Sequence, residues 1–497
     1  MTEENELIEF RLEKLKALRE KGLDPFAVER FDRTHISSQI IAGFDELENN
    51  DVSLAGRITA MRPMGKASFA HIQDSGGKIQ IYIKKDTVGE ASYELLDYVD
   101  TGDFLGINGK VHKTRTGEVT IFVESFQIIS KAIRPIPFGK QKGDQEWYGL
   151  EDVDQRYRQR YLDLIVNPEV MDTMMKRSRI IRLIREFLNN EGFIEVETPV
   201  LQAVAGGAAA RPFVTHHNAL DHDFHLRISL ELYLKRLIVG GFEKVYEMDR
   251  VFRNEGLSTR HSPEYTLMEL YQAYGNLEDM MDIVERLMAL IAMDIHGSLQ
   301  VEYQGHVIDF TTPWKRIPLL EGIREQAGVA PEEFDTLEGA KAAGTRLGLP
   351  MEKETSIGGI VDKIHERFVQ PNLIQPTFIT DYPLDISPLA KKDPNNPAMT
   401  RRFEPYVATR ELGNAFSEIN DPIDQRERFL DQVRQRDVGD DEAHPMDEDF
   451  LRALEYGMPP TGGLGIGIDR LVMLFTDAAS IRDVILFPQM KPEKHED

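Results

Sequence analysis

Two stretches of the sequence concentrate side chains that can bind phosphate, metal or ammonium groups. In the first, Gly240–Asn276, apolar and polar residues alternate on either side of residues 254–262, which predicts two antiparallel strands around a loop. Strand cores rarely hold many ionisable groups, yet this stretch carries Arg253, Glu255, His261 and Glu269. An arginine on a rigid strand can hold a phosphate and a carboxylate together, because its donors match oxyanions in pairs. Arg253 is therefore a candidate anion-binding residue, and a salt-bridged surface hairpin is the alternative.

The second stretch, RRFEPYVATRELGNAFSEIND, places Glu404, Glu411 and Glu418 at intervals of seven residues. On a helix these acids would share one repelling face, whereas on strands separated by a turn they can converge on a cavity. Convergent carboxylates require cations, and Mg²⁺ is satisfied by one or two carboxylates with waters and phosphate oxygens. Glu404 and Glu411 are candidate Mg²⁺ ligands, and separately solvated acids are the alternative.

Two glycine-rich segments offer room for a ligand beside the backbone. Residues 461–476, TGGLGIGIDRLVMLFT, lack the third glycine of a dinucleotide-binding fingerprint. Within this segment, Asp469 and Arg470 come directly after the glycine-rich part GLGIGI. Arg470 can stack on a base or reach a phosphate. Residues 203–213, AVAGGAAARPF, have side chains too small to fill a core, and Glu231 begins the short helix predicted after them.

Three motifs resemble those of the class II aminoacyl-tRNA synthetases and occur in that family's order. Residues 252–255, FRNE, with the loop ending in RHSPEY, resemble motif 2, and residues 461–476 resemble motif 3. The helix TMMKRSRIIRLIREFLNNEGF and the strand FIEVETP resemble motif 1, which in the family forms a homodimer interface. The class I signatures HIGH and KMSKS and the P-loop pattern do not occur in the sequence.

Short alternating runs from about Val52 to Ser130, with a helical segment between the third and fourth, predict the five strands of an OB-fold barrel. The run GKASFAHIQDSGGKIQIYI is similar to the anticodon-binding domain of lysyl-, aspartyl- and asparaginyl-type synthetases. The resemblance implies that Phe69 stacks on an anticodon base of tRNA and that Gln80 reads one. Without the resemblance, Phe69 fits the barrel core equally well. The resemblance also implies an acidic third base reader near the end of the fifth strand in some bacterial members, where Glu124 and Ser125 both lie.

Charge in the predicted pocket indicates the amino acid. If Glu231, Glu269 and Glu418 point inward, the ligand should carry positive charge at both ends, because buried carboxylates without cations are costly. Lysine meets this demand, and the segment around Glu231 resembles the substrate-binding helix of lysyl-tRNA synthetases, with Leu230 where members usually have proline.

The resemblance to the lysyl-type family implies the following site residues. The lysine ε-ammonium would contact Glu269, Tyr271 and Glu418; the α-ammonium Glu231 and the backbone of Gly207; the carboxylate Asn414 and Arg253; and Phe416 would complete the lysine pocket. ATP would be bound by Arg253, Glu255, His261, Tyr265 (phenylalanine in many members), Glu404, Gly467 and Arg470. Arg253, His261 and Arg470 would act in catalysis.

The implied reaction joins L-lysine and ATP into lysyl-adenylate and pyrophosphate, and then transfers lysine to the 3′ end of tRNA(Lys), with Mg²⁺ as the metal cofactor. Related lysyl-transferring enzymes that modify proteins lack the barrel, and those that modify lipids add membrane spans, so neither matches this sequence. A catalytically silent RNA-binding module is the alternative from another class, and Arg253, Glu404, Glu411 and Arg470 argue against it.

The predicted fold class is α+β, with an OB-fold barrel and a catalytic domain built on an antiparallel sheet flanked by helices. The predicted divisions are a helical extension over 1–50, the barrel over 51–131, a linker over 132–160, and the catalytic domain over 161–497 with a helical insertion over about 313–372. Lysines and arginines of the linker, including Lys131, Arg134, Lys140 and Lys142, could form a phosphate track, although a solvated linker explains such charge more often.

Composition narrows the class of protein. The 497 residues are 41% hydrophobic and 29% charged, which is typical of soluble globular domains. No apolar run approaches the ~20 residues of a membrane span, and the acidic start MTEENELIEF does not match a signal peptide, so we expect a cytoplasmic protein without membrane contacts. A formal net charge of −25 argues against nonspecific coating of nucleic acid, and the lack of cysteine excludes disulfides and thiolate zinc sites.

Overall fold

The computed structural model of the chain describes residues 3–142, 145–147, 149–437 and 443–493. It divides into two compact units, Met1–Arg156 with Tyr161–Asn167, and Tyr157–Arg160 with Pro168–Asp497. Helices α6 and α7, numbered in chain order, lie where this division falls and span Val153–Arg158 and Arg160–Val166.

The first unit is built on a closed barrel of five strands in the order β1-β2-β3-β5-β4, as predicted. The strands of this unit are β1 Asp51–Met64, β2 Ala67–Asp74, β3 Gly77–Lys84, β4 Phe104–Lys113 and β5 Val119–Ser130, followed by the small pair β6 Lys140–Lys142 and β7 Gln145–Trp147. Its helices are α1 Glu3–Glu20, α2 Ser37–Ala42, α3 Phe44–Leu47, α4 Lys85–Val88 and α5 Glu90–Glu94, of which the last two separate β3 from β4.

Strand alternation forms the barrel core. On β3, Ile79, Ile81 and Ile83 are buried, while Gln80 and Tyr82 between them face outward. The predicted phosphate track is not supported at Lys131, which is buried and pairs with Asp100 at 2.6 Å and with Asp103 at 2.7 Å. The side chains of Lys140 and Lys142 lie outside the described residues.

The second unit contains a nine-stranded sheet with the path β16-β17-β18-β20-β21-β13-β12-β8, and β19 pairs with β18. Most neighbours are antiparallel, as predicted, but β16 with β17 and β8 with β12 are parallel pairs, so the sheet is mixed. The strands of this unit are β8 Ile194–Glu195, β9 Leu201–Gln202, β10 Val214–His217, β11 His222–Leu226, β12 Lys244–Phe252, β13 Glu264–Ala273, β14 Gln300–Tyr303, β15 His306–Asp309, β16 Lys315–Pro318, β17 Thr377–Pro383, β18 Met399–Val407, β19 Arg410–Glu411, β20 Gly413–Ser417 and β21 Thr461–Gly467.

Helices of the second unit form several cores, of which the main one packs on the sheet. They are α8 Pro168–Asn190, α9 Glu231–Val239, α10 Leu277–His296, α11 Leu319–Ala327, α12 Leu337–Arg346, α13 Ile357–Ile364, α14 Pro422–Asp437, α15 Glu448–Glu455 and α16 Ile468–Phe475. Apolar side chains of α8, α10 and α16 share one core with Leu464 and Ile466 of β21. No helix in the described part of the chain is both long and apolar enough to cross a membrane.

The segment predicted as a helical insertion has a core of its own, to which α11, α12 and α13 contribute. Its first residues do not form a helix: β16 extends the main sheet through its parallel pairing with β17. Four residues are too few to show a clear alternation, which is why the pattern did not reveal this strand.

Candidate functional site

Three neighbouring strands form the floor of a cavity in the second unit. Strand alternation places Tyr265, Leu267, Glu269 and Tyr271 of β13 on one face, and the residues of β21 paired with the last three are Gly467, Gly465 and Gly463. On the next strand, Asn414 and Phe416 of β20 pair with Gly465 and Gly463. Because β21 places Gly463, Gly465 and Gly467 on this face, the space above them stays open between side chains from both neighbouring strands.

The cavity has a volume of about 460 Å³. All of the residues predicted for the catalytic unit line it, with the exception of Glu404: Gly207, Glu231, Arg253, Glu255, His261, Tyr265, Glu269, Tyr271, Glu411, Asn414, Phe416, Glu418, Gly467 and Arg470. Segments separated by more than two hundred positions in the sequence therefore meet at one site, as the prediction required.

Arg253 directly follows β12, and its side chain is fixed from two sides. Its Nε donates a hydrogen bond to the carbonyl oxygen of Ile228 at 3.3 Å, and its guanidinium carbon lies 5.4 Å from the ring centroid of Tyr265. The predicted loop connects β12 to β13, and within it Ser258 Oγ lies 3.2 Å from His261 Nδ1. Burial and the neighbouring charge of Arg470 lower the pKa of His261, so the imidazole is held neutral.

Glu269 is buried at the centre of the floor and accepts three hydrogen bonds. Oε1 accepts from Ser229 Oγ at 2.7 Å and from the backbone N of Leu230 at 2.9 Å, and Oε2 accepts from the Tyr271 hydroxyl at 3.0 Å. Burial and the charge of Glu231 raise the pKa of Glu269 to about 7, against which these hydrogen bonds act. The carboxylate is therefore oriented, but it is costly to ionise without a cation.

Glu231 and Glu418 face the same part of the cavity, and Lys235 lies behind them. Lys235 Nζ is 2.5 Å from Glu231 Oε1 and also forms an ion pair with Glu418 Oε2. Burial raises the pKa of both carboxyls, and the charge of Lys235 opposes that rise. Burial alone would lower the pKa of Lys235, but the charges of the two carboxylates outweigh burial and raise this pKa. Lys235 was not among the residues predicted from the sequence, although its position four residues after Glu231 on a helix predicts a contact.

Close packing around Glu418 explains one glycine of the floor. A Cβ atom at Gly463 would lie 2.0 Å from Glu418 Oε1 and 2.6 Å from Tyr271 Cε1, so no larger residue fits there. At Gly467 the nearest atoms would be 3.9 Å and 4.0 Å away, so packing alone does not require glycine at this position.

Arg470 and Glu411 lie at the other end of the cavity. Arg470 Nη1 donates to the backbone oxygen of Glu411 at 2.9 Å and to its Oε2 at 3.1 Å. Arg470 is placed by its neighbour Asp469, which lies in the first turn of α16 and is almost fully buried. Asp469 accepts hydrogen bonds from Arg177 Nη1 of α8 at 2.6 Å and from the backbone N of Thr266 at 2.7 Å.

Glu404 is not among the described residues that line the cavity, and both of its oxygens are engaged. Oε2 accepts from the hydroxyls of Tyr382 at 2.8 Å and Tyr406 at 2.7 Å, and Oε1 accepts from Arg402 Nη2 at 2.6 Å. Arg402, which was not predicted from the sequence, lines the cavity, whereas its partner Glu404 does not. Arg402 lies two residues earlier on the same strand, and this spacing places both side chains on one face.

Arg402 also orients Asn414. Its Nε donates to Asn414 Oδ1 at 3.1 Å, which leaves the amide NH₂ of Asn414 as the group available to donate into the cavity. Arg402 Nη1 is anchored by the carbonyl oxygen of Ile386 at 2.8 Å.

On the barrel of the first unit, a row of rings covers the outer face of neighbouring strands. The ring centroids of Phe69 and Tyr82 are 4.7 Å apart, those of Tyr82 and Phe122 are 5.0 Å apart, and His112 follows at 4.9 Å. This places Phe69 outside the apolar core, in a row of rings of the kind on which single-stranded bases stack.

Gln80 lies beside this row, and its amide is held by Glu118 and Thr120. Gln80 Nε2 donates to Glu118 Oε2 at 2.8 Å, and Thr120 Oγ1 donates to Gln80 Oε1 at 2.8 Å. Glu118 therefore lies closer to the predicted base reader than Ser125, whose hydroxyl accepts from Asn108 on β4 at 3.2 Å. Glu124 is exposed on β5. Glu118 directly precedes β5, whereas the third base reader was expected near the end of that strand.

Comparison with known proteins agrees with this architecture. Residues 152–491 match the family model of tRNA synthetases class II (D, K and N), and residues 52–129 match that of the OB-fold nucleic acid binding domain. The chain belongs to the class II tRNA synthetases of the D, K and N group.

Several curated relatives of similar length are described as lysine–tRNA ligases. The protein from Thermoanaerobacter pseudethanolicus is 56% identical over 99% of this chain and 97% of its own length. That from Pelotomaculum thermopropionicum is 56% identical over 99% and 96%, and that from Moorella thermoacetica is 55% identical over 99% of both.

Proposed function

We propose that this protein activates L-lysine with ATP and transfers the lysyl group to the 3′ end of tRNA(Lys). The single observation that carries the proposal is the convergence of Glu231, Glu269 and Glu418 on a cavity that Arg253 also lines. Three carboxylates accompanied by one internal ammonium leave an excess of negative charge, which a ligand with two ammonium groups would neutralise. Lysine is such a ligand, and relatives over 50% identical are described as lysine–tRNA ligases.

In the proposed lysine pocket, the ε-ammonium contacts Glu269, Tyr271 and Glu418. The α-ammonium contacts Glu231 and the backbone beside Gly207. A residue larger than glycine does not fit at Gly207, because its φ is +89° and an added Cβ atom would lie 2.9 Å from Ser229 Oγ. The carboxylate is held by Arg253 and by the amide NH₂ of Asn414, and Phe416 supplies the apolar wall along the methylene chain.

Adenylate formation would need no protein nucleophile. The lysine carboxylate attacks the α-phosphorus of ATP in line, Arg253 stabilises the added negative charge, and pyrophosphate leaves beside Arg470 and His261. Tyr265 would stack on adenine next to Gly467, with Glu255 hydrogen-bonding the edge of the base. Because its imidazole is neutral, His261 can bind phosphate as a hydrogen-bond donor without adding a full charge.

Glu411 fits Mg²⁺, which we propose as the metal cofactor. It lines the cavity, and a single carboxylate with phosphate oxygens and waters satisfies this ion. Within the described residues no cluster of three or more His, Asp or Glu side chains could hold a metal alone, so ATP itself would complete the ligand set. When bound, the ion would supply positive charge beside the phosphates. Glu404 stays a predicted second ligand and nucleotide contact, although its carboxylate is engaged by Arg402.

The barrel is the proposed reader of the tRNA anticodon. Phe69 would stack on one base, and Gln80 would hydrogen-bond a base edge. Glu118 is the third reader that the contacts favour, because its carboxylate already accepts from Gln80.

We further propose that the protein acts as a homodimer in the cytoplasm, where tRNA is charged for translation. Exposed apolar side chains of the motif 1 segment support the dimer: Met175 is 63% exposed on α8 and Ile194 is 53% exposed on β8. Light scattering of the purified protein tests this assembly.

Lysine-dependent exchange of labelled pyrophosphate into ATP tests the activation step, with each of the twenty amino acids assayed in parallel. We expect exchange with lysine alone; exchange with aspartate or asparagine would overturn the assignment of the pocket. Transfer of labelled lysine to tRNA, compared with transfer to an acceptor protein, then tests the second step.

A further inference from the structure

Lys235 is a buried charged residue that has no role in the mechanism proposed above. Its side chain is fully buried, and it is not among the described residues that line the cavity, whereas Glu231 and Glu418 are. The ammonium group therefore approaches the two carboxylates from the side opposite to the ligand.

Lys235 engages one oxygen of each of two carboxylates. Lys235 Nζ contacts Oε1 of Glu231 and Oε2 of Glu418. The remaining oxygen of Glu418, Oε1, is the one that lies beside Gly463 and Tyr271 on the cavity floor. Neither oxygen of Glu418 accepts a hydrogen bond from another group in the described part of the chain, so this ion pair is what fixes its orientation.

The charges that surround Lys235 come from several elements. Glu231 lies on the same helix as Lys235, and Glu418 follows β20. Glu269 and Tyr271 of β13 interact with Glu418. His444 lies near Lys235 and has a pKa lowered to about 4 by burial and by the charge of Lys235, so it is neutral. The ring centroid of Phe450 on α15 is 5.9 Å from Lys235 Nζ, and Arg402 acts on Glu231 from β18.

We propose that Lys235 is a positioning residue for the amino-acid substrate: it fixes Glu231 and Glu418 from behind and leaves the pocket with two uncompensated carboxylates, one for each ammonium group of lysine. This inference rests on the proposed function. Without Lys235 three carboxylates would face two ammonium groups, and Glu418 would take up a proton instead of binding its ligand.

The test compares Lys235→Met, which keeps the length of the side chain and removes the charge, with Lys235→Arg, which keeps the charge. Lysine-dependent pyrophosphate exchange should show KM for lysine raised at least about tenfold in Lys235→Met, because truncating one partner of a buried ion pair is costly. The KM for ATP should stay within about twofold, since the nucleotide end of the cavity is untouched.

The pH profile separates positioning from a general structural role. Loss of the cation raises the pKa of the facing carboxyls, so the acidic limb of kcat/KM for lysine should move up by about one pH unit in Lys235→Met. In Lys235→Arg the acidic limb of kcat/KM for lysine should stay at the wild-type pH. Equal loss toward lysine and ATP, or an unmoved limb in Lys235→Met, would overturn the proposal.

Combined variants keep the test open if Lys235→Met does not fold. In a background with both Glu231→Gln and Glu418→Gln, Lys235 has lost both charges through which it acts, so adding Lys235→Met should change the KM for lysine by no more than about threefold. A further change of about tenfold or more would overturn the proposal, because Lys235 would then act independently of both carboxylates. Wild-type protein without lysine-dependent exchange would instead contradict the proposed function itself.

Discussion

Burial sets the chemistry of the carboxylates that face the cavity. Glu269 is 5% exposed, and its carboxylate accepts three hydrogen bonds. Its pKa is raised to about 7, so around neutral pH a cation decides whether it is ionised. A protonated Glu269 cannot attract an ammonium group, so in the proposed pocket the affinity for lysine is linked to the loss of this proton.

This linkage predicts a pH dependence of both substrate affinity and stability. The KM for lysine should fall as pH rises from about 6 to about 8, because the carboxylate becomes ionised. Since the folded-state pKa is raised above the unfolded value, the stability that Glu269 contributes is complete below the unfolded pKa and is lost as pH rises through about 7. Thermal melting with and without lysine checks this: stabilisation by lysine should increase with pH, and Glu269→Gln should flatten the trend.

Adding one methyl group at Gly463 should strongly weaken lysine binding. In Gly463→Ala the new Cβ would meet Glu418 Oε1 and Tyr271, so both must shift and the KM for lysine should rise about a hundredfold or more, in line with the precision that such sites need. Gly467→Ala is the matched comparison, because its Cβ has room. It should fold normally and affect the KM for ATP more than that for lysine. The reverse pattern in exchange assays would contradict the assignment of the two ends.

Removing Arg253 tests the proposed charge stabilisation directly. Arg253→Ala should lower kcat for exchange by about 100-fold or more, which corresponds to roughly 3 kcal/mol for one lost oxyanion donor. Arg253→Lys should recover only part of this, since an ammonium group cannot make the paired contact to phosphate and carboxylate. Full activity of either variant would remove Arg253 from the mechanism.

Sequence patterns predicted most of the residues that line the cavity, but not which of these residues contact each other. Spacing indicated that Glu404, Glu411 and Glu418 could converge, but Arg402 lines the cavity and Glu404 does not. Likewise, three carboxylates were expected in the pocket without the internal Lys235 that compensates one of them. The ion pair of Lys235 with Glu418 joins two elements, which local periodicity does not encode. The pairs Arg402 with Glu404 and Lys235 with Glu231 each lie on one element, so their spacing could have indicated these contacts.

At the scale of elements, the site depends on strands that bury apolar side chains on one face and line the cavity with the other. On β21, Leu464 and Ile466 pack into the core, while Gly463, Gly465 and Gly467, which alternate with them, face the cavity. The hairpin of β12 and β13 could be predicted because its alternation is long. A strand that includes β8 was also predicted, within FIEVETP, but its parallel pairing with β12 was not. The four-residue edge strand β16 was not predicted, because its pairing is set by distant segments.

The start of α16 is the element boundary that we expect to be most sensitive. Asp469→Asn should destabilise the protein by about 3 kcal/mol, because it weakens a buried pair with Arg177 and places an amide where Thr266 donates. The KM for ATP should rise as Arg470 shifts. Asp294→Asn is the control, since it removes an exposed ion pair to the same helix α8, Arg179 with Asp294 at 2.6 Å, and should cost no more than about 1 kcal/mol. Urea unfolding midpoints compare the two variants.

At the scale of the whole molecule, the chain separates two kinds of recognition. In the proposed assignment, the charges that line the cavity of the second unit select an amino acid with two ammonium groups and a nucleotide, whereas the barrel of the first unit presents rings and amides suited to bases. The order of the barrel strands could be predicted because each strand is long and the turns carry glycine. The row formed by Phe69, Tyr82, Phe122 and His112 could not, since it joins three different strand pairings.

This separation predicts that a substitution on the barrel changes tRNA charging without changing lysine activation. Phe69→Ala should lower kcat/KM for tRNA by about 5-fold to 150-fold, the range expected for losing one base–aromatic stack of about 1–3 kcal/mol. Pyrophosphate exchange should be unaffected, because no tRNA takes part in that step. Phe26→Ala is the matched control, since this ring is 49% exposed on the same unit but outside the aromatic row. If Phe69→Ala impaired both reactions equally, or Phe26→Ala impaired charging as strongly, the aromatic row would not be the face that reads tRNA.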